Sequence, residues 1–425
     1  MGQRHFTSTV VAERRDLLKV LIVASDTFPH IGGKSSHIRD LMKGFRAENV
    51  DCQLISLSSL GRLMEIMIKC PLLPLKLINV YLYNYIFTRI WSRILNRLVH
   101  NYCLSNKPDF ISVQDAFAAQ AILTTVKKVQ ITVSLTMHTY FGIEQSLDRK
   151  MNYLSRLIYR SNLSDELRAL RVIDGLVAVD QRIHEHVKGH IEAGMFRHIT
   201  TTAIMNFTAT DVFKAPTALA RAQIRHHYNI SDEVFVAICA RRLVEKNGVM
   251  FVVKAMRKIS DDSVMLLIAG DGPQRKMIEK YIQLHSLEEK VKLLGAVDDK
   301  RVIDLYMMSD ISIVPSVTVN GLQEATSISA IEAMSCGLPT IASNIGGLTQ
   351  LIKSDHTGIL VDEADEESIA REIGRLKKNK ALYQDISINA RDHVRKNHSH
   401  ISAARKYLDF FERLSIVKHN YGDVF

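Results

Sequence analysis

The chain has 425 residues, 47% of them apolar and 24% charged, and its 55 Lys and Arg against 45 Asp and Glu leave a formal net charge of +10. That length exceeds the roughly 250–300 residues at which a single core usually divides, so two domains are expected. Five scattered cysteines (Cys52, Cys70, Cys103, Cys239, Cys336) without a C-x-x-C pair exclude a disulfide framework and a zinc finger, and point to a reducing compartment.

The basic excess favours polyanions. With no RNP-like aromatic strand, nucleic acid is excluded, and phosphorylated small molecules or an anionic membrane remain. Residues 1–16 carry no apolar signal core, and Phe6 stands where a myristoylation motif needs Ser or Thr. They read as a disordered extension. The run LLKVLIVAS (17–25) predicts a buried parallel strand. A loop with Gly32 and Gly33 follows, then Ile38, Leu41, Met42 and Phe45 at helical spacing. CQLISL, DFISVQD, QITVSLTMHT and GLVAVD continue the strand series, with Asp115, His138 and Asp180 at the ends of the last three.

Between CQLISL and DFISVQD, residues 61–107 hold seven Lys and Arg against the single Glu65 and are rich in Leu, Ile and Tyr. The uncharged stretch from Leu77 to Thr88 is too short to span a bilayer, which needs about 20 residues. Arg89, Arg93 and Arg97 recur every four residues among Trp91, Leu95 and Leu98. Two readings fit: helices covering the first sheet, or a basic amphipathic helix lying in a membrane interface.

From Asn206 the pattern turns polar, and a second series begins with VFVAICA, SVMLLIAG, VKLLGAV, ISIVPS and LPTIAS. Strands alternating with helices predict an α/β chain with two doubly wound Rossmann-like domains, residues 17–212 and 213–398. A last helix is expected over 399–425, with apolar Ile401, Tyr407, Phe410, Phe411 and Leu414.

The segment GLQEATSISAIEAMSCGLPTIAS (321–343) places Glu324 in a loop and Glu332 within the following helix. Thr326, Ser327 and Ile328 open that helix, and a helix N-terminus after a strand suits a diphosphate. By itself the pair of carboxylates fits a charged loop and an exposed helical position more readily than a site. Pro315-Ser316 lies upstream, Gly337-Leu338-Pro339 and Gly346-Gly347 downstream, with ARRLVEKNG (240–248), IAGDGP (268–273) and LLGAV (293–297) before them. Together these motifs resemble glycosyltransferase family 4, retaining enzymes of the GT-B fold, over about residues 17–400.

The resemblance implies a nucleotide diphosphate sugar as donor substrate, with Arg242 and Lys246 on its diphosphate. Two arginines precede the leucine and Asn247 intervenes before Gly248, so Arg241 is an alternative equivalent. It implies Glu332 on the ribose, Glu324 near the donor sugar ring, and Gly270, Gly272, Gly295 and Val297 around the nucleotide. In the first domain it implies Gly32 and Gly33 against donor and His138 near the reacting centre, and it implies that the last helix (399–425) returns to that domain. Asp115 is a weaker acceptor-side candidate. Ala325 replaces a common Gly, and Asp180 and Met205-Asn206-Phe207 also depart from the family pattern. No Asp-x-Asp occurs, and with cationic side chains on the diphosphate no metal or other cofactor is expected. The acceptor is expected to be a glycan or lipid-linked precursor, with the enzyme cytoplasmic and peripherally associated with an anionic membrane. A nucleotide-sugar epimerase and a catalytically silent subunit are the alternatives.

Overall fold

The computed structural model describes residues 18–29, 32–139, 167–171, 173–192 and 199–421. The chain divides into two compact units, one made of residues 1–205 and 401–425 and the other of Asn206–His400. The division thus falls at Asn206, seven residues before the expected Phe213. Residues 206–212 belong to the second unit because Phe207 and Phe213 are buried and Thr208 bridges Ser399. The expected extension, residues 1–16, lies outside the described residues.

In the first unit, β1 (Lys19–Val23), β2 (Asp51–Ile55), β3 (Phe110–Val113), β4 (Thr132–Met137), β5 (Gly175–Ala178) and β6 (Thr200–Ala203) form one sheet in the order β2-β1-β3-β4-β5-β6. Every pairing in it is parallel. Helix α1 (Gly33–Ala47) buries Ile38, Leu41 and Phe45 and half-buries Met42, the apolar positions of its helical pattern. The basic segment folds as α2 (Arg62–Lys69), α3 (Leu73–Ile78) and the long α4 (Val80–Asn106). On α4, Trp91, Leu95 and Val99 are buried, and the Trp91 indole Nε1 donates to Ser25 O at 2.8 Å. For this face of α4 the core-covering reading holds, because the stripe at i, i+4 and i+8 is buried in the first unit. A short α5 (Ala116–Ala121) is capped by Asp115, and α6 (Gln181–Glu192) follows β5. The last helix, α10 (His400–Tyr421), sets Tyr407, Phe410, Phe411 and Leu414 into the first unit's core.

The second unit holds β7 (Phe235–Ala240), β8 (Val264–Ala269), β9 (Val291–Gly295), β10 (Ile311–Val314), β11 (Thr340–Ser343) and β12 (Ile359–Val361), in the order β12-β11-β10-β7-β8-β9. These pairings are also parallel. The helices that matter for the site are α7 (Val249–Lys258), α8 (Asp299–Met308) and α9 (Ile328–Ser335). Both units are therefore doubly wound α/β sheets, as the alternating pattern predicts. Strand order reverses between β1 and β3 in one and between β7 and β10 in the other. In open α/β sheets the crevice beyond the strand ends at such a reversal is where ligands bind.

Candidate active site

Arg241 follows the last residue of β7, and Pro315-Ser316 follow β10, so both loops open at the second unit's reversal point. Arg241 turns inward with its side chain only 8% exposed. Six side-chain oxygens converge on its guanidinium. Nη2 donates to Glu324 Oε2 at 2.9 Å, Asn247 Oδ1 at 2.7 Å and Ser316 Oγ at 3.1 Å. Nη1 donates to Ser327 Oγ at 2.7 Å, Glu324 Oε1 at 3.3 Å and Ser329 Oγ at 3.3 Å. A fork-on-fork pair of this kind is the strongest side-chain ion pair available, and its burial screens it from water. Burial works against the guanidinium's charge, but neighbouring Glu324 outweighs it and holds Arg241 firmly cationic.

Glycines shape the loops around it. Gly248, at φ +63°, ends the ARRLVEKNG turn, and a Cβ there would stand 1.8 Å from Pro315 O. The Lys246 carbonyl accepts from Val317 N at 2.9 Å, which fastens this turn to the loop after β10. Gly270 lies against the other side of Arg241: a Cβ would meet Arg241 O at 2.0 Å. Substitution at either position must move backbone. Gly270 N donates to Gly295 O at 2.8 Å, and Gly272 N to Asp271 Oδ1 at 2.7 Å, so the ends of β8 and β9 lie side by side. Val297 packs half-buried beneath them.

Glu324 sits in the loop before α9, where the sequence places it, and its carbonyl accepts from Gly347 N at 2.9 Å. Ser327 is the N-cap of α9 but its hydroxyl serves Arg241 instead of the helix. Thr326 is buried, its carbonyl accepting from Asn206 Nδ2 at 2.7 Å, and Ile328 begins the helix half-buried. One turn on, Glu332 is buried and Tyr306 of α8 donates its hydroxyl to Glu332 Oε2 at 3.4 Å. Burial, then the Glu332 charge, pushes the Tyr306 phenol well above its usual range, so it remains a donor. Arg242 and Lys246 are exposed, outside this buried cluster.

The first unit's reversal point is built differently. Lys34, next to Gly33 at the start of α1, pairs with Asp26 after β1 and with Asp115 after β3, the latter at 3.1 Å. Burial opposes the Lys34 charge, but Asp115 and then Asp26 outweigh it and raise its pKa. Burial likewise works against the Asp115 carboxylate, yet Lys34 and the Ser25 and Ala118 amides keep it low. Gly32 caps α1, its carbonyl accepting from Ser35 N and Ser36 N at 3.1 and 3.2 Å.

His138, just past β4, lies half-buried with its ring edge-on to His37 at 4.7 Å and Nε2 3.4 Å from Gln114 Oε1. Burial, then His37 and Lys34, hold its pKa well below 6.5, so the imidazole is neutral. Below it His37 Nε2 meets the Tyr407 hydroxyl at 3.2 Å, and Tyr407 meets Thr136 Oγ1 at 3.1 Å. Pattern reading missed Lys34, His37 and Tyr407. The Lys34 signal was its place beside the glycine pair, and Tyr407 gave none because it arrives from 270 residues downstream of β4. Asp180 is fully buried just before α6 and bonded to Arg182 of that helix, at 3.0 Å. Among the described residues no three His, Cys, Asp or Glu gather to hold a metal ion.

Two family models match the chain: "Glycosyltransferase Family 4" over residues 31–201 and "Glycosyl transferases group 1" over residues 220–393. The chain belongs to glycosyltransferase family 4. Its fold is GT-B. Sucrose-phosphate synthase from Thermosynechococcus elongatus superposes with a TM-score of 0.71 at 17% identity, covering 94% of this chain and 99% of that one. Anabaena HepE, solved in complex with UDP and glucose, gives 0.67 at 16% identity, covering 93% and 99%. N-acetyl-α-D-glucosaminyl L-malate synthase from Bacillus anthracis is 30% identical over 173 residues, which is 40% of this chain and 44% of that protein. The chain spans about half the length of the curated relatives it matches.

Proposed function

We propose that this family 4 glycosyltransferase transfers a sugar from a nucleoside diphosphate donor to an acceptor, with retention at the anomeric carbon. The observation that carries the reading is the Arg241–Glu324 pair, a buried guanidinium on a half-buried carboxylate, at the mouth of the β7/β10 reversal, beside the start of α9. A departing diphosphate needs positive charge held in place before it leaves, and preorganised charge is the largest single catalytic contribution. Arg241 supplies that charge on a head already fixed by five neighbouring side chains. The α9 amides at Ser327 and Ile328, with Thr326 behind them, supply hydrogen-bond donors for the phosphates. Arg242 and Lys246 extend the cationic surface at the rim.

Glu324 accepts from hydroxyls of the donor sugar, and Glu332 from those of the ribose. Gly270, Gly272, Gly295 and Val297 leave room for the base. In the first unit, neutral His138, with Gly32 and Gly33, offers an imidazole that donates to a hydroxylated ligand without adding charge. With fixed cations on the leaving group, the reaction runs without an essential metal. The acceptor is a lipid-linked or envelope glycan precursor, met at the inner face of a membrane. Neighbour HepE was solved with UDP and glucose, which supports a nucleotide sugar as donor. Thermal shift against UDP-, GDP-, ADP- and TDP-sugars tests the reading. One of these should raise the melting temperature with concentration, since a ligand of the folded state alone stabilises it. Product anomers by NMR then test retention, and no shift with any donor would overturn the assignment.

A further inference from the structure

Of the sixteen large apolar side chains that stand exposed among the described residues, eight lie between Leu63 and Val80. Leu63, Met67, Leu77 and Ile78 are 79%, 67%, 92% and 78% exposed, more than a folded surface gives to scattered single residues. They belong to α2 and α3, two short helices of eight and six residues. On α2, Leu63, Ile66 and Met67 share one face by their i, i+3, i+4 spacing.

Underneath, α3 packs along α4, and α4 is anchored by buried Trp91, Leu95 and Val99. The arm is thus held on the first unit with its apolar side outward. Lys69 lies over the Phe87 ring at 6.0 Å, Lys76 over Tyr83 at 5.9 Å and Arg89 over Tyr85 at 5.1 Å. Glu65, the segment's single carboxylate, is paired with Lys69. Arg93 and Arg97 are exposed farther along α4. Residues 61–107 carry seven Lys and Arg against that one Glu, and Lys69 and Lys76 stand on the two apolar helices themselves.

We infer that α2 and α3 form a docking arm for an anionic lipid surface, seating Leu63, Met67, Leu77 and Ile78 among the lipids with Lys69, Lys76 and the α4 arginines at headgroup level. The charge decides the occupant. A second copy would bring like charges together around its own apolar tip, whereas anionic headgroups complement them. No helix among the described residues is long and apolar enough to cross a membrane. At 1.5 Å per residue, α2 and α3 are about 12 and 9 Å long, suited to lying in the interface plane. The biological sense of the arm rests on the proposed lipid-linked acceptor, but the docking itself does not.

Co-sedimentation of the full chain with phosphatidylglycerol/phosphatidylcholine vesicles and with phosphatidylcholine vesicles tests it, at low salt and at about 0.5 M, where screening is nearly complete. The wild type should pellet with the anionic vesicles only, and less at high salt. Leu77→Asp with Ile78→Asp, and separately Lys69→Glu with Lys76→Glu, should each lower the bound fraction at least tenfold. Both double variants should keep the wild-type thermal shift with nucleoside diphosphates, because the altered side chains lie on the surface of the other unit. Wild type left in the supernatant with both vesicles at low salt overturns the arm. So do variants that bind as wild type, or a wild-type dimer in light scattering that Leu77→Asp splits. Vesicle binding without any nucleotide shift would leave the arm standing and sink the donor assignment instead.

Discussion

At the carboxyl end of β7, six side-chain oxygens converge on the Arg241 guanidinium. At the carboxyl end of β4, His138 leans on His37, which in turn meets the Tyr407 hydroxyl. Both places lie past strand ends of a doubly wound sheet, yet one stores a permanent charge and the other suppresses one. The difference comes from residue chemistry under the same burial. A guanidinium does not shed its proton, so burying it obliges the chain to supply a carboxylate and hydroxyls. An imidazole does shed its proton, so burial beside a second imidazole and Lys34 leaves it neutral. A proposed donor-diphosphate site of the first kind works independently of pH, whereas the second kind ties its state to a titration.

The sharpest way to break this contrast is Arg241→Ala. It should lower kcat by roughly 10²–10³-fold, the scale of losing one preorganised transition-state donor. It should also cost stability on the order of 1–3 kcal/mol, because half-buried Glu324 loses its charged partner. Steady-state rates and denaturant melts read the two effects separately, and turnover within a few-fold of wild type would remove Arg241 from the leaving-group role.

Next in size is Glu332→Gln. Ribose is common to free nucleotide and intact donor, so both dissociation constants should rise together by about tenfold, one charge-assisted hydrogen bond's worth. Calorimetric titrations with both ligands check this, and a loss of turnover at unchanged affinity would move Glu332 off the ribose.

Lys246→Ala should do less. An exposed ion pair is worth 1 kcal/mol or less, so the rate should fall by no more than about fivefold. Measured beside Arg241→Ala, an equal or larger loss would hand the central cationic role to Lys246.

The last effect is a slope. The folded pKa of His138 lies below its usual 6.5, so its neutral form contributes stability in full above pH 6.5. That contribution is lost as pH falls from 6.5 toward the folded pKa, because only the unfolded chain then takes the proton. Stability of wild type minus that of His138→Gln should therefore decline on acidification by at most about 1.4 kcal/mol per pH unit. A difference that stays flat from pH 7.5 to about 5 would mean that His138 is charged or solvated.

Much of this was legible in the sequence. Apolar runs such as VLIVA and VMLLIA announce strands buried on both faces, and ten of the twelve strands were read from such runs. The two that escaped, TTTA of β6 and ILV of β12, are edge strands at the ends of their sheets. One lacks an apolar run and the other has three residues, so each is specified by the neighbour's open backbone edge more than by its own side chains. Glu324 in a loop and Glu332 in a helix were equally readable, since Thr326 and Ser327 mark the start between them.

Three things were decided only by tertiary structure. Arg241 and Arg242 are neighbours of identical chemistry, and the path of the chain leaving β7 turns one inward and the other to solvent. An apolar stripe interleaved with arginines has the same pattern whether it packs on a sheet or on lipid. The packed chain put Trp91 in the core, bonded to Ser25 just past β1, and left Leu77 outside. Tyr407 reaches His37 across 370 residues, a distance over which no local pattern carries information. Short-range periodicity reports how a segment meets water. Which groups face each other across a core depends on where distant segments are packed, and that is settled by the whole chain at once.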